Sequence, residues 1–134
     1  NLGVKVELNT VGDYQMFANE RDNKNYDIFV GGWFSDYNDP LDFLNVMKTG
    51  VYDSYGLYSN SEYDSLIDSL TGENDNAKRL EIYQKLEDLL VAQDCGVAPL
   101  YYSDKHYYYQ NWVKDFYTSS FGASQELYRA SVQK

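Results

Sequence analysis

Cysteine is almost missing from this chain: Cys95 stands alone among 134 residues. No intrachain disulfide can therefore form, and no metal site of the Cys-x-x-Cys type exists. One thiol says nothing about redox compartment. Histidine is as scarce, with His106 the sole instance, beside a tyrosine run and with no Ser or Cys in a recognisable nucleophile elbow, so triad-type catalysis lacks its parts. Long apolar runs are also lacking, and none approaches the length of a membrane-spanning helix. The opening residues, Asn1-Leu2-Gly3-Val4-Lys5, carry neither an initiator Met nor a signal-peptide pattern, so the sequence is expected to begin in mid-protein. Positive charge is short as well. Eleven basic against 21 acidic residues give a formal charge of -10, which repels a phosphate backbone and an anionic membrane surface and makes nucleic acid and lipid poor expectations as partners. Solubility alone would also account for an acidic surface.

Aromatic side chains are what the chain has in plenty. They make up 17% of it, with fifteen Tyr, more than packing alone usually needs. Tyr offers an apolar face and a hydroxyl together, which suits a binding surface. With 43% hydrophobic residues in the length of one small domain, the chain can bury a core, which argues against disorder.

Val4, Val6 and Leu8 alternate with Lys5, Glu7 and Asn9, the two-residue period of a half-buried strand. Thr10 to Glu20 carries Tyr14, Phe17 and Ala18 at helical spacing, and Arg21 to Asn25 is a polar turn. Tyr26 to Trp33 is a β-prone run ending in Gly31 and Gly32, a βαβ-like start whose strand end leads into Phe34-Ser35-Asp36-Tyr37-Asn38-Asp39. Loops at strand ends are where α/β sheets place ligands. Asp39-Pro40 reads as N-cap and N1 of a helix over Leu41 to Met47 that buries Leu41, Leu44 and Met47 or their neighbours, closed by Lys48-Thr49-Gly50. Val51 to Asn60 is a Tyr-rich loop. Ser61 is expected to cap a helix through Tyr63, Leu66, Ile67 and Leu70, with a turn at Gly72 to Asp75.

The strongest periodicity follows. Leu80, Tyr83, Leu86, Leu89 and Leu90 form one apolar stripe over about Asn76 to Ala92, with Lys78, Arg79, Glu81, Lys85 and Glu87 outside it, and the helix ends near Gly96. Val97 to Tyr102 is the next strand, with Pro99 placing it at an edge or at a crossing between layers. Tyr107 to Tyr109 reads as another strand, and Leu127 to Val132 as a terminal strand or helical turn. There is no repeat and no low-complexity linker.

Gly32-Trp33-Phe34-Ser35-Asp36-Tyr37-Asn38-Asp39-Pro40 resembles the Gly-Trp-x-x-Asp-Tyr-x-Asp-Pro signature of the oligopeptide/dipeptide-binding proteins of ABC transport. Tyr58 to Asp64, Arg79 to Leu90 and Pro99-Leu100-Tyr101-Tyr102 match that family in the same order, so the resemblance covers nearly the whole chain. It implies an α/β, type II periplasmic-binding-protein-like lobe. Residues 1–102 would form part of the second lobe, and 103–134 a crossover segment returning to the first, with the crossing near Leu100 to Ser103.

By that resemblance Asp36 receives the ammonium group at a peptide's N-terminus, a charge-assisted contact that strengthens where lobes close and exclude water. From the residues alone, Asp36 reads equally as a loop Asp capping a turn. Backbone groups of Gly32, Trp33, Phe34 and Ser35 would hold an extended peptide as an added strand, which gives broad sequence tolerance. Trp33 is either a pocket wall or core, and glycines at a strand end serve turns as well as close ligand approach. Tyr101 and Tyr102 alternate along the crossing strand, so only one should face the cleft. The family often has an aromatic where this chain has Ser103.

The resemblance further implies a non-enzymatic, extracytoplasmic component, periplasmic or lipid-anchored on the outer membrane face, with permease subunits as partners and no cofactor. Without an opposing lobe the chain is expected to bind peptide weakly, and to dimerise or stay with the rest of a parent chain. Relatives of this kind also carry nickel complexes or haem. Among rival readings, Asp36, Asp39 and Asp42 would be the carboxylates of a glycoside hydrolase, though capping accounts better for Asp39. Calcium on Asp36, Asn38, Asp39 and Asp53 lacks the EF-hand spacing. A tyrosine-rich carbohydrate-binding module is the main non-enzyme alternative, separated from the first reading by testing peptide against oligosaccharide.

Overall fold

The computed structural model describes residues 3–51, 58–119, 121 and 127–133. Four α-helices dominate it: α1 (Tyr14–Asp22), α2 (Leu41–Asn45), α3 (Ser61–Ser69) and α4 (Asn76–Glu87). A π-helical turn, Asp88–Gln93, continues α4, and one antiparallel pair joins β1 (Val113–Lys114) to β2 (Ser131–Val132).

Each longer helix begins where a short polar side chain satisfies its free amides. Asp13 accepts from Met16 N at 2.8 Å to start α1. Asn60, not Ser61, caps α3, its Oδ1 accepting from the amides of Glu62 at 2.8 Å and Tyr63 at 3.1 Å. Asp75 takes the amide of Ala77 at 2.9 Å to start α4. Between α3 and α4 the chain turns at Gly72, whose φ of +80° is one that side chains disfavour.

The core is made by α2, α3, α4 and the π turn. Leu44, Val46 and Met47 meet Tyr63, Ile67 and Leu70, and both groups meet Tyr83, Leu86, Leu89 and Leu90. Tyr63 and Leu86 are wholly buried. The Tyr63 hydroxyl donates to the Leu44 carbonyl at 2.8 Å, so its burial strands no polar group. Burial also pushes that hydroxyl's pKa up.

Leu80 corrects the sequence reading: it is 57% exposed. The inward row of α4 runs through Arg79, Tyr83, Leu86 and Leu90, the i, i+4, i+7, i+11 ladder of one helix face, and Leu80 lies a residue off that row. Arg79, expected outside, takes the inward place and is only 18% exposed. The helix ends as expected, with Cys95 at φ +51° and the Gly96 amide donating to the Leu90 carbonyl at 2.8 Å.

As for the expected α/β architecture, the regular structure among the described residues is mostly helical, with one two-stranded sheet. Val4–Leu8, Tyr26–Trp33, Val97–Tyr102 and Tyr107–Tyr109 are not strands among the described residues. Alternation records that a segment suits a sheet, but a strand exists only where a neighbour exchanges backbone hydrogen bonds with it. No described segment lies in register beside these four. Many of their side chains stand in solvent, with Val6 77%, Ile28 84% and Leu100 74% exposed, while Trp33 and Val97 pack against the core. Of the expected loop Val51 to Asn60, residues 52–57, Asp53 among them, lie outside the described residues.

Around α1, Phe17 stacks on Phe29 at 4.9 Å between ring centroids, and Phe29 on Tyr26 at 5.2 Å. At the C-terminal end Phe116 lies 5.1 Å from Tyr109 and 6.1 Å from Tyr107.

Leu86→Ala should lower unfolding stability by roughly 2–5 kcal/mol, because it opens a cavity in a core that cannot collapse freely. Leu80→Ala should stay within about 0.5 kcal/mol. Urea melts of the two variants check the difference, and equal losses would contradict the assigned helix face.

Candidate ligand-binding site

The loop from Gly31 to Asp39 is held from below by two carboxylates of different kinds. Asp42, in the first turn of α2, is 6% exposed. Its Oδ2 accepts the indole N–H of Trp33 at 3.1 Å and the backbone amide of Asp36 at 2.8 Å. Trp33 is half-buried and packs on the core, so one face of its ring is structural.

The Asp-Pro pair opens α2 one residue later than expected, with Pro40 at the N-cap position and the Asp39 carboxylate accepting the Leu41 amide at 2.9 Å. Asp39 also does what the sequence did not reveal. Its Oδ2 pairs with Arg79 at 2.6 Å and its Oδ1 accepts from the Tyr83 hydroxyl at 2.5 Å. Arg79 bonds Tyr83 as well, and reaches the carbonyls of Leu70 at 3.4 Å and Glu73 at 3.2 Å. One guanidinium thus ties the loop, the α3–α4 turn and α4 together.

Electrostatics follow this geometry. Burial pushes the Asp39 carboxyl up, but the Tyr83 hydroxyl, the Leu41 amide and Arg79 outweigh it and hold the group below its ordinary 3.8. Burial and the Asp39 carboxylate push Tyr83 up to about 12. Tyr37 is raised by burial and then by Asp42, Asp39 and Asp36, which records how much negative charge gathers at the loop.

The residues expected to touch ligand fall into two sets. Asp36 is exposed, and its carboxylate has no hydrogen-bond partner among the described residues. Phe34 is 62% exposed, with Lys105 Nζ 4.6 Å from its ring centroid, a cation–π contact that joins the segment after residue 102 to the loop. The Ser35 hydroxyl donates to the Tyr37 carbonyl, which tightens the loop. Gly32 faces open space, whereas a side chain at Gly31 would meet the Phe29 ring at 2.6 Å. Gly31 therefore serves local packing. Tyr101 and Tyr102 are 82% and 97% exposed, so neither faces the core, contrary to the alternation expected of a strand.

Asp42 and Arg79 are the participants that sequence reading missed. A signal existed for Arg79, which sits four residues before Tyr83 on the buried helix face. Asp42 was noticed only among the carboxylates of the rival hydrolase reading, with nothing in its spacing to mark it as the anchor of the loop.

No family model matches the chain. It is 32% identical over 117 residues to the oligopeptide-binding protein OppA of Bacillus subtilis, covering 86% of this chain and 20% of that protein. It is also 32% identical over 113 residues to the periplasmic oligopeptide-binding protein OppA of Salmonella typhimurium, covering 84% and 20%. Among solved structures, the substrate-binding domain of an oligopeptide ABC transporter from Bacillus anthracis str. Ames superposes with a TM-score of 0.79 at 28% identity, covering 93% of this chain and 24% of that one. The fold is thus that of a portion of an ABC-transport solute-binding protein. The chain is homologous to part of the family 5 oligopeptide- and dipeptide-binding proteins, which are not enzymes, and it spans about a fifth of the length of the curated relatives it matches.

A carboxylate whose folded pKa is depressed stabilises the fold fully above its ordinary value and loses that contribution as pH falls through the folded one. Asp39→Asn should therefore be less stable than the parent at neutral pH, and the gap should narrow below about pH 4. Thermal melts across that range check it. A constant gap would mean that the Asp39 charge does not stabilise the fold.

Proposed function

We propose that the chain is part of the substrate-binding component of an ABC importer and captures peptides through their free N-terminal amine. The observation that carries this reading is Asp36: an exposed carboxylate without a protein partner among the described residues, on a loop whose backbone is held by a buried neighbour. A peptide ammonium supplies the missing partner. Backbone groups of Gly32 to Ser35 take up the peptide main chain, and Trp33, Phe34, Tyr101 and Tyr102 border its side chains. The printed names of the relatives, oligopeptide-binding proteins, support a peptide as ligand.

In this reading residues 1–102 belong to the second of two lobes and 103–134 return to the first. Strands of the rest of that protein would pair with the exposed segments 4–8, 26–33 and 97–102. Permease subunits receive the cargo, and the protein works in the periplasm or on the outer membrane face. Among the described residues no helix is long and apolar enough to cross a membrane.

A charge-assisted hydrogen bond contributes about 1.5–3 kcal/mol. Asp36→Asn in the complete two-lobe protein should thus weaken a free tripeptide roughly 10- to 100-fold and leave its N-acetylated form nearly unchanged. Calorimetry decides this, and equal affinity of the parent for both peptides would sink the reading. The 134-residue chain alone should bind the free tripeptide weakly or not at all, because water screens Asp36 when no opposing lobe covers it. Its exposed apolar segments should drive association, read by light scattering. Micromolar binding by a clean monomer would show that the opposing lobe is not needed.

A further inference from the structure

We propose that Asp42 is a positioning residue for ligand capture, which aims the Asp36 carboxylate at the ligand amine by holding the loop from inside. The inference rests on the amine-pairing role given to Asp36 above. Three observations lead to it. Asp42 is a carboxylate with only 6% of its surface exposed, and so it cannot meet a ligand itself. Both of its hydrogen bonds run to the loop, to the Asp36 amide at 2.8 Å and to the Trp33 indole at 3.1 Å. The first amide of its own helix is taken instead by Asp39, which accepts from Leu41 N at 2.9 Å.

An apolar residue would fill that space without the cost of a desolvated charge, and a carboxylate is retained there only with its oxygens satisfied. Here one oxygen, Oδ2, accepts both N–H groups and so fixes two points of the loop, one on either side of Phe34 and Ser35. Asp has only two side-chain torsions, so its Oδ2 is a well-defined anchor once the first turn of α2 is formed. Fixing the Asp36 amide removes backbone freedom at the residue that carries the ammonium-binding group, and fixing the indole sets the wall beside it. A preorganised carboxylate gives up less freedom on binding than a mobile one. Charge adds to this. Asp42 contributes negative potential beneath the loop, which favours a cation at its surface.

A merely structural Asp42 would lower stability without altering which peptides are preferred. The discriminating readout is therefore the ratio of affinities for a free tripeptide and its N-acetylated form, measured by calorimetry on the complete two-lobe protein. Asp42→Leu fills the space but accepts no hydrogen bond, and should cut that ratio roughly 10-fold. Asp42→Asn keeps an acceptor oxygen at the same place and should restore most of it. Added to Asp36→Asn, Asp42→Leu should lower the ratio no further, since one residue acts through the other. Asp42→Ala serves in place of Asp42→Leu if that variant fails to fold.

The outcomes separate the two readings. If Asp36→Asn removes the preference and the Asp42 variants do not, Asp42 is structural and this inference alone is overturned. If Asp36→Asn leaves the preference intact, the amine-pairing reading fails and takes this inference with it. Additive losses in the double variant would also overturn the inference, because two independent effects do not describe positioning.

Discussion

The Asp39 carboxylate joins parts of the chain forty residues apart by accepting from Arg79, and most of what the loop can do depends on that contact. With Leu41, Tyr83 and Arg79 all directed at its two oxygens, Asp39 fixes the start of α2 against the middle of α4. Arg79 in turn reaches the α3–α4 turn through the carbonyls of Leu70 and Glu73. Such a network is worth having only when complete, since a partly satisfied buried charge costs more than the pair contributes. The triad is closed, and it lies at the edge of the helical core, where the loop leaves it.

The same loop shows how neighbouring carboxylates come to do different things in an acidic chain. Asp39 is neutralised by a guanidinium. Asp42 is buried and satisfied by two N–H groups. Asp36 is left exposed, and its backbone rather than its carboxylate is engaged. The sequence distance among the three is short, so the division of labour comes from burial and partners rather than from position in the motif. A cation approaching this surface meets Asp36 first, with the potential of the other two behind it, partly cancelled by Arg79.

How much of this could be read beforehand varies with the physics involved. Helix starts were legible in part because their signals are local: Asp39 and Asp75 act within a turn of their own position, whereas the cap of α3 fell on Asn60 rather than Ser61 and Asp13 gave no reading beforehand. The inward leucines of α4 were legible from period alone at Leu86, Leu89 and Leu90. Leu80 and Arg79 were assigned to the wrong sides, because hydrophobicity ranks Leu inward, whereas Arg79 earns its place through a partner forty residues away. That information is non-local. Strand-like segments were misread for a similar reason: the alternation of Val4, Val6 and Leu8 is real, yet no described neighbour pairs with them. At the site, the motif pointed to Asp36, but the groups beneath it, Asp42 above all, depend on tertiary contacts that no spacing rule encodes.

A loop that follows a strand-like segment would ordinarily take its shape from the sheet. Here it does not. Val30 is 70% exposed and Ile28 84%, so the approach to the loop is unpaired. The loop itself is nonetheless pinned at Trp33, Asp36 and Asp39 to α2 and α4. Within this chain its geometry is therefore set by the helical core. If the chain works inside a two-lobe protein, this has a consequence for how capture is built. On the reading proposed above, the backbone of Asp36 is held by contacts internal to this chain, through Asp42 of α2. On that reading, an opposing lobe would add water exclusion, which strengthens any charge pairing at Asp36.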